Sequence, residues 1–239
     1  MTEHLSRHGS ILIAVTSHAE LGDTGRPTGL WMEELAAPYL AFTGAGFDVT
    51  IASPPGGTAP IDPGSLAEGS VTPAVTRFRR DSSAHGLLAS TARLGDIADM
   101  SGFDAIYLVG GHGTMWDFTP NADLGRLLDD ATRRDAIIAA VCHGTAGLLS
   151  STTSGSLVRG RTLTGFSDEE EAAVGLTAVV PFLLQTRLAA EGARVQAGPA
   201  FQPNIVVDRH LVTGQNPASS AGVAAQILTL LPAWDKEPR

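Results

Sequence analysis

A cysteine followed directly by a histidine, Cys142-His143, is the pair of side chains in this sequence best suited to covalent chemistry. Cys142 is the only cysteine among 239 residues, and it lies between the apolar run 136–141 and a stretch of small residues. This pattern predicts a buried strand, a sharp turn at the cysteine and a helix behind it, which together form a nucleophile elbow. The unpaired N–H groups at the start of such a helix favour the nucleophilic thiolate. The alternative is that Cys142 is a small core residue at the end of a buried strand.

A thiolate nucleophile needs a partner that moves protons and hydrogen-bond donors for the oxyanion formed on attack. The backbone N–H of His143 comes one residue after the nucleophile, so we expect it to be one donor. We expect the second donor from the glycine-rich loop at Gly111 and His112, which follows another strand-like run. The alternative for the His143 side chain is a capping or packing role.

A carboxylate partner is expected on the helical pattern 30–43, where Glu33 and Glu34 are neighbours among apolar residues. Adjacent helical residues point about 100° apart, so only one of the two glutamates faces inward. A buried carboxylate is unfavourable unless it is paired or protonated, and the inward glutamate therefore marks a candidate site. The helical period does not distinguish between the two.

The composition restricts the classes of partner. The formal net charge is −9, and the few basic residues occur as isolated pairs, which argues against nucleic acid and anionic membranes. With 43% hydrophobic and 17% charged residues the chain can bury a sizeable core. A lone cysteine cannot form an internal disulfide and fits a reducing compartment. The first ten residues lack a signal-peptide pattern, and the longest apolar run is too short to cross a bilayer. We therefore expect a cytoplasmic protein without nucleic-acid or membrane partners.

Strand-like and helical patterns alternate along the chain, which predicts a single α/β domain over residues 1–239 with a doubly wound sheet. Segment 58–83, rich in Pro, Gly and Ser, is interpreted as a surface excursion within that domain. The predicted strands are 11–16, 47–52, 103–109, 136–141, 161–164, 205–207 and 211–213. The predicted helices are 30–43, 91–100, 121–132, 167–190 and 214–231. Ligands bind such sheets at the carboxyl ends of the strands, where the glycine loop and Cys142 both fall.

Five segments, in this order and spacing, are similar to motifs of one known group of proteins. They are 28–39, 52–57, 110–117, 140–144 and 213–217. On these motifs the chain resembles the PfpI-like superfamily, whose members are related to the class I glutamine amidotransferases, and within it the branch of glyoxalase III enzymes and holding chaperones. The resemblance implies a flavodoxin-like, mostly parallel sheet with helices on both faces and a nucleophile elbow, and it implies a homodimer.

The same resemblance assigns roles to individual residues. It implies that Cys142 is the nucleophile, that His143 is its neighbouring histidine, and that Glu34 is the glutamate in contact with the cysteine. The choice of Glu34 over Glu33 therefore comes from the resemblance. In the family this glutamate is protonated and hydrogen-bonded to the sulfur, and burial next to an anion raises a carboxyl pKa.

The pocket around the nucleophile is assigned in the same way. The resemblance implies that Gly111 and His112 lie on its oxyanion side and that His18 and Trp31 line its mouth. Some relatives bind a metal through two histidines and a glutamate. Glu34 and His112 could supply two of these ligands, but Gly29 stands where the other histidine is expected, so no metal site and no cofactor are predicted.

Two further departures from relatives bear on function. Gln185 stands where relatives often have a glutamate, which affects one polar contact outside the cysteine site. Glutaminases place a His-x-Glu pair late in the chain, whereas His210 is followed by Leu and Val, so amidotransferase activity is not expected.

The function that the resemblance implies is a glutathione-independent glyoxalase, which converts methylglyoxal to lactate. The Cys142 thiolate adds to the aldehyde, and either Glu34 or His143 moves the C1 proton through an enediol to C2. Water then releases lactate from the thioester. The alternatives are a cysteine-dependent hydrolase, hydratase or lyase with another small electrophile, and a stress-responsive holding chaperone or redox sensor in which Cys142 is oxidised to sulfinate.

Overall fold

A seven-stranded sheet with the strand order β3-β2-β1-β4-β5-β9-β8 forms the centre of the computed structural model, which describes residues 9–151 and 157–231. The strands of this sheet are β1 (Ser10–Ala14), β2 (Asp48–Ser53), β3 (Ala92–Arg93), β4 (Ala105–Leu108), β5 (Ile137–Val141), β8 (Ile205–Asp208) and β9 (Leu211–Gly214). Neighbouring strands are parallel except for the antiparallel pair β8 and β9. Two short strands, β6 (Thr162–Leu163) and β7 (Arg194–Val195), pair in a separate small sheet. The predicted α/β doubly wound, mostly parallel architecture is confirmed.

Eight α-helices accompany the strands in the described ranges. They are α1 (Met32–Gly44), α2 (Pro73–Arg80), α3 (Ser82–Ala89), α4 (Thr114–Asp117), α5 (Ala122–Arg133), α6 (Asp168–Ala173), α7 (Leu184–Ala190) and α8 (Ser220–Leu230). Helix α1 packs against α8, while α5 packs on β4 and β5. None of the helices in these ranges is both long enough and apolar enough to span a lipid bilayer.

The central strands β1, β4 and β5 form the core. Their side chains are almost entirely buried, as expected for parallel strands that are covered on both faces. Each large aliphatic side chain buried in this way contributes about 1.5–3 kcal/mol relative to an exposed one. The ends of β4 and β5 are therefore fixed in position, and the loops that follow them have a rigid base.

Two segments differ from the sequence-based expectation. The predicted helix 91–100 was wrong, because its first residues pair with the end of β2 as strand β3 and a short 3-10 turn, Leu94–Asp96, follows. The helical pattern 167–190 is divided into α6 and α7, and the intervening residues include Gly175 and Pro181. Both differences arise where pairing or chain breakers override a weak local helical tendency.

The segment 58–83 does not lie wholly on the surface. It contains α2, whose Val75 and Phe78 are buried, and the Phe78 ring packs edge-on against Tyr39 of α1 with 5.1 Å between centroids. The turn at Asp62, whose side chain accepts a hydrogen bond from the Gly64 N–H, lies between β2 and α2 along the chain. Part of this segment therefore extends the core, a role that its Pro-, Gly- and Ser-rich composition concealed.

Candidate active site

Cys142 occupies a sharp turn between β5 and the 3-10 helix Cys142–Ser150. Its φ of +56° lies in the left-handed region, which a non-glycine residue adopts only at an energetic disadvantage of about 1–3 kcal/mol. The side chain is 4% exposed. The backbone therefore has the strand–turn–helix form of the predicted nucleophile elbow, although the helix behind it is a 3-10 helix instead of an α-helix.

His143 contacts the sulfur with one ring nitrogen and a carboxylate with the other. Its Nδ1 lies 3.4 Å from Sγ of Cys142, and its Nε2 lies 2.7 Å from Oε2 of Glu171. Burial, followed by the nearby His112, lowers the pKa of His143 from 6.5 to about 4, so the ring is neutral near pH 7. Its backbone N–H also faces the sulfur and favours the thiolate.

Glu171 holds both histidines. Its other oxygen, Oε1, lies 3.0 Å from Nε2 of His112. Burial raises the pKa of Glu171, but the hydrogen bonds from His112 and His143 lower it more, to about 2. An ionised carboxylate accepts only, so both Nε2 atoms donate to it, and Nδ1 of His143 is left as an acceptor facing the sulfur. The order of contacts from Cys142 through His143 to Glu171 is the arrangement expected of a nucleophile, a base and an orienting carboxylate.

Glu34, in the first turn of α1, is fully buried, and neither carboxyl oxygen has a hydrogen bond of ordinary geometry within the described residues. Burial raises its pKa well above the usual range, outweighing the opposite effects of the nearby Cys142 thiol and the Gly110 N–H. Burial therefore favours the protonated, neutral form of this carboxyl. Tyr107 Oη donates to the Glu34 carbonyl over 2.7 Å and fixes the start of α1. Glu33, by contrast, is only partly buried and contacts Thr72.

The glycine loop after β4 approaches both carboxyl and sulfur closely. A Cβ on Gly110 would lie 2.5 Å from Oε2 of Glu34 and 3.0 Å from Cβ of Cys142. Gly111 has a φ of +107°, and a Cβ there would lie 2.3 Å from the Gly29 carbonyl oxygen. Glycine is required at both positions. The loop backbone therefore reaches the edge of the site where an oxyanion donor is expected.

The predicted mouth residues separate into two groups. Trp31 and His112 line one cavity of about 270 Å³, which also includes Arg26 and the apolar side chains of Leu21 and Leu176. His18 does not line this cavity; its ring stacks on Trp116 with 5.1 Å between centroids, and its Nε2 lies 2.6 Å from the Glu20 carbonyl oxygen.

Burial also affects the Cys142 thiol itself. Burial and the proximity of Glu34 raise the thiol pKa well above its usual range. The contribution of Glu34 depends on a negative charge, so it is removed while that carboxyl stays protonated. A protonated Glu34 and a base that takes the thiol proton therefore both favour formation of the thiolate.

Glu171 was not among the residues predicted from the sequence. It belongs to the acidic run 168–171 at the start of α6, where Ser167 and Glu170 form a capping box. Glu170 is a structural residue, since its oxygens accept hydrogen bonds from the side chains of Gln215 and Asn216. A capping box fixes where a helix starts but not what the next residue faces. The signal for Glu171 in the sequence was that a further glutamate follows Glu170.

The side chains capable of binding a metal ion form a different set from the one considered from the sequence. Three such atoms lie within 4.8 Å of one another, one each from His112, His143 and Glu171. Glu34 is not in this group, and its neutral form is a poor ligand.

Comparison with known proteins supports a family assignment. The family model described as DJ-1/PfpI family matches residues 29–230. The crystal structure of the Rapid Encystment Protein 24 KDa from Francisella tularensis is similar, with 34% identity, a TM-score of 0.88, and coverage of 93% of this chain and 99% of that one. The curated "Glutathione-independent glyoxalase HSP31" of Saccharomyces cerevisiae is 27% identical, over 92% of this chain and 97% of that protein. The structure of glyoxalase III from Candida albicans shares the fold, with a TM-score of 0.87 at 24% identity, covering 94% and 98%.

The extent of the match to the family model, the near-complete coverage of these relatives and the shared flavodoxin-like fold lead to one conclusion: the chain belongs to the DJ-1/PfpI family.

Proposed function

We propose that this protein is a glutathione-independent glyoxalase that converts methylglyoxal and water to lactate. The observation that carries the proposal is the array of Cys142, His143 and Glu171 next to a neutral, buried Glu34. The names of curated relatives, glutathione-independent glyoxalase in yeast and glyoxalase 3 in Candida albicans, support an enzyme acting on a small carbonyl compound.

The first step is addition of sulfur to the aldehyde carbon. Neutral His143 takes the thiol proton through Nδ1, and the charged Glu171 stabilises the resulting imidazolium. The carbon–sulfur bond forms, and the aldehyde oxygen becomes an oxyanion near the N–H groups of His143 and of the Gly111 loop. The imidazolium returns its proton to this oxygen, which gives a neutral hemithioacetal and restores neutral His143.

The second step is an internal proton transfer. His143 removes the C1 proton and delivers it to C2, while the hydroxyl proton moves from the C1 oxygen to the C2 oxygen. The product is a lactate thioester on Cys142, with no net oxidation or reduction. Burial favours the protonated form of Glu34, which makes this carboxyl a hydrogen-bond donor to the sulfur anion and a poorer base than His143. This charge argument favours His143 over Glu34 as the base.

Hydrolysis of the thioester completes the reaction. Water adds to the thioester carbonyl, the same N–H groups stabilise the oxyanion, and the Cys142 thiolate leaves with release of lactate. These three steps require neither glutathione nor a redox cofactor. We assign the overall reaction to the lyases, as a hydration and rearrangement of one substrate.

We further propose that the protein is a cytoplasmic homodimer. The dimer is testable by light scattering.

The decisive experiment measures lactate formation from methylglyoxal in the absence of glutathione. We expect turnover by the native protein and loss by several orders of magnitude in Cys142→Ala, because no other thiol is present in the chain. Stoichiometric alkylation of the native protein with iodoacetamide provides a matched control, since it modifies Cys142 without mutation.

Two outcomes would contradict the proposal. Lactate formation that persists in Cys142→Ala would remove the cysteine from the mechanism. No turnover by native protein with a fully reduced thiol would exclude methylglyoxal as substrate, and other electrophiles for a hydrolase, hydratase or lyase would then be tested. Suppression of client aggregation equal in native protein and Cys142→Ala, without turnover, would favour a holding chaperone.

A further inference from the structure

The cluster of His112, His143 and Glu171 has the composition of a metal-binding site. Nε2 of His112 and Nε2 of His143 both face the Glu171 carboxylate, at 3.0 Å and 2.7 Å from its two oxygens. The two rings are tilted against each other, with 4.1 Å between centroids and an angle of 41° between their planes. Three potential ligand atoms therefore converge on one small volume, from loop, elbow and helix.

We propose that this cluster binds Zn²⁺ reversibly and that the metal-bound form is catalytically inactive. Two imidazole nitrogens and one carboxylate oxygen are a ligand set typical of zinc sites that keep a fourth position for water. Zinc bonds of about 2.1 Å in tetrahedral geometry separate neighbouring ligand atoms by about 3.4 Å. The observed nitrogen–oxygen distances of 3.0 Å and 2.7 Å need to increase by less than about 1 Å, which requires only small rotations of the side chains within their rotamers.

The ion has a path to this cluster. His112 is 9% exposed and lines the cavity of about 270 Å³ at the mouth of the site. His143 and Glu171 lie behind it and are almost completely buried. A hydrated ion therefore meets His112 first, and the cavity has room for the remaining water ligand.

Zinc binding changes the proton arrangement of His143. In the metal-free form Nε2 carries the proton and Nδ1 accepts from the thiol. A metal on Nε2 requires the proton to move to Nδ1, where it points at the sulfur of Cys142. His143 then cannot take the thiol proton. The inhibitory consequence rests on the proposed function, whereas zinc binding itself does not.

Isothermal titration of the metal-free, reduced protein with Zn²⁺ tests the binding. We expect one ion per chain, no binding of Mg²⁺ because imidazole ligands do not suit it, and affinity reduced at least about 10- to 100-fold in His112→Gln and in Glu171→Gln. His85→Gln, which replaces an exposed histidine elsewhere, is the matched control and retains native affinity. Thermal unfolding of each variant confirms that it is folded.

Co²⁺ as a spectroscopic probe separates this site from binding to the cysteine. We expect d–d bands of a low-coordinate site without a sulfur-to-metal charge-transfer band. Native affinity in both His112→Gln and Glu171→Gln, or a charge-transfer band that disappears in Cys142→Ala, would overturn the proposal. Zinc binding with no glyoxalase activity would leave the site intact and reject only the proposed function.

Discussion

The first turn of α1 and helix α6 each bring one buried glutamate to the site, and the pKa values of the two carboxyl groups are shifted in opposite directions. Glu34 has its pKa raised because its oxygens are buried with little hydrogen bonding. Glu171 has its pKa lowered to about 2 because two histidines donate to it. These opposite shifts fit the proposed division of roles, in which Glu34 is a proton donor and Glu171 orients His143. Partners, more than burial alone, decide the charge of a buried carboxylate.

Of the substitutions that test this comparison, Glu171→Gln is expected to have the largest effect. The glutamine amide lacks the negative charge that stabilises an imidazolium at His143. Its NH₂ group can also donate to Nε2 of His143, and the ring proton is then on Nδ1, facing the sulfur. We expect kcat/KM for methylglyoxal to fall about 10³- to 10⁴-fold, as for loss of the carboxylate in other triads. Steady-state lactate formation measures this.

The matched control for that change is Glu169→Gln, an exposed member of the same acidic run. This substitution changes the net charge by the same amount and at the same helix N-terminus, without touching His143. We expect it to leave kcat/KM within about twofold of the native value. Equal losses in both variants would show that the helix charge, and not the contact with His143, is responsible.

A smaller loss, of about 10²-fold in kcat/KM, is expected from Glu34→Gln. The neutral amide resembles the protonated carboxyl in shape and charge but is a weaker donor to the sulfur. Its control is Glu33→Gln, the half-buried neighbour on α1. If Glu34 acts as a charged base instead, Glu34→Gln will be as damaging as Glu171→Gln, and the contrast between the two carboxyl groups will be wrong.

The pH profile of kcat/KM tests the charge of His143. Because burial lowers its pKa from 6.5 to about 4, the ring remains a competent base as the pH falls, and activity is expected to decline only near pH 4. At about pH 5.5 an unperturbed histidine would already be about tenfold less available as a base. An acid limb centred near 6.5 would contradict the assigned environment.

The smallest effect is expected from His18→Gln. The ring contacts Trp116 and the Glu20 carbonyl, away from the glutamate–histidine cluster. We expect KM for methylglyoxal to change by about twofold or less. Trp31→Leu, which alters the lining of the cavity next to His112, is expected to change KM more. A larger effect of His18→Gln would place His18 in the path of the substrate.

The elbow was predictable because its signal is local. An apolar run that ends at Cys142 and is followed by small residues specifies strand, turn and helix within about a dozen positions. The hairpin of β8 and β9 and the Ser167 capping box were predictable for the same reason. The wrong helix at 91–100 shows the limit, because the pairing of β3 with β2 is a long-range contact that no local pattern contains.

The amino-acid sequence by itself determined the doubly wound fold, the position of Cys142 and the family motifs that include Glu34 and His143. Only the tertiary structure decided that Glu171 holds His143, a contact across 28 residues, and that it also holds His112, across 59. The physical reason is that long-range hydrogen bonds from Gln215 and Asn216 to Glu170 hold the start of helix α6, which carries the neighbouring Glu171. The charge states of the two glutamates were likewise set by burial and by partners, which exist only after the chain has folded.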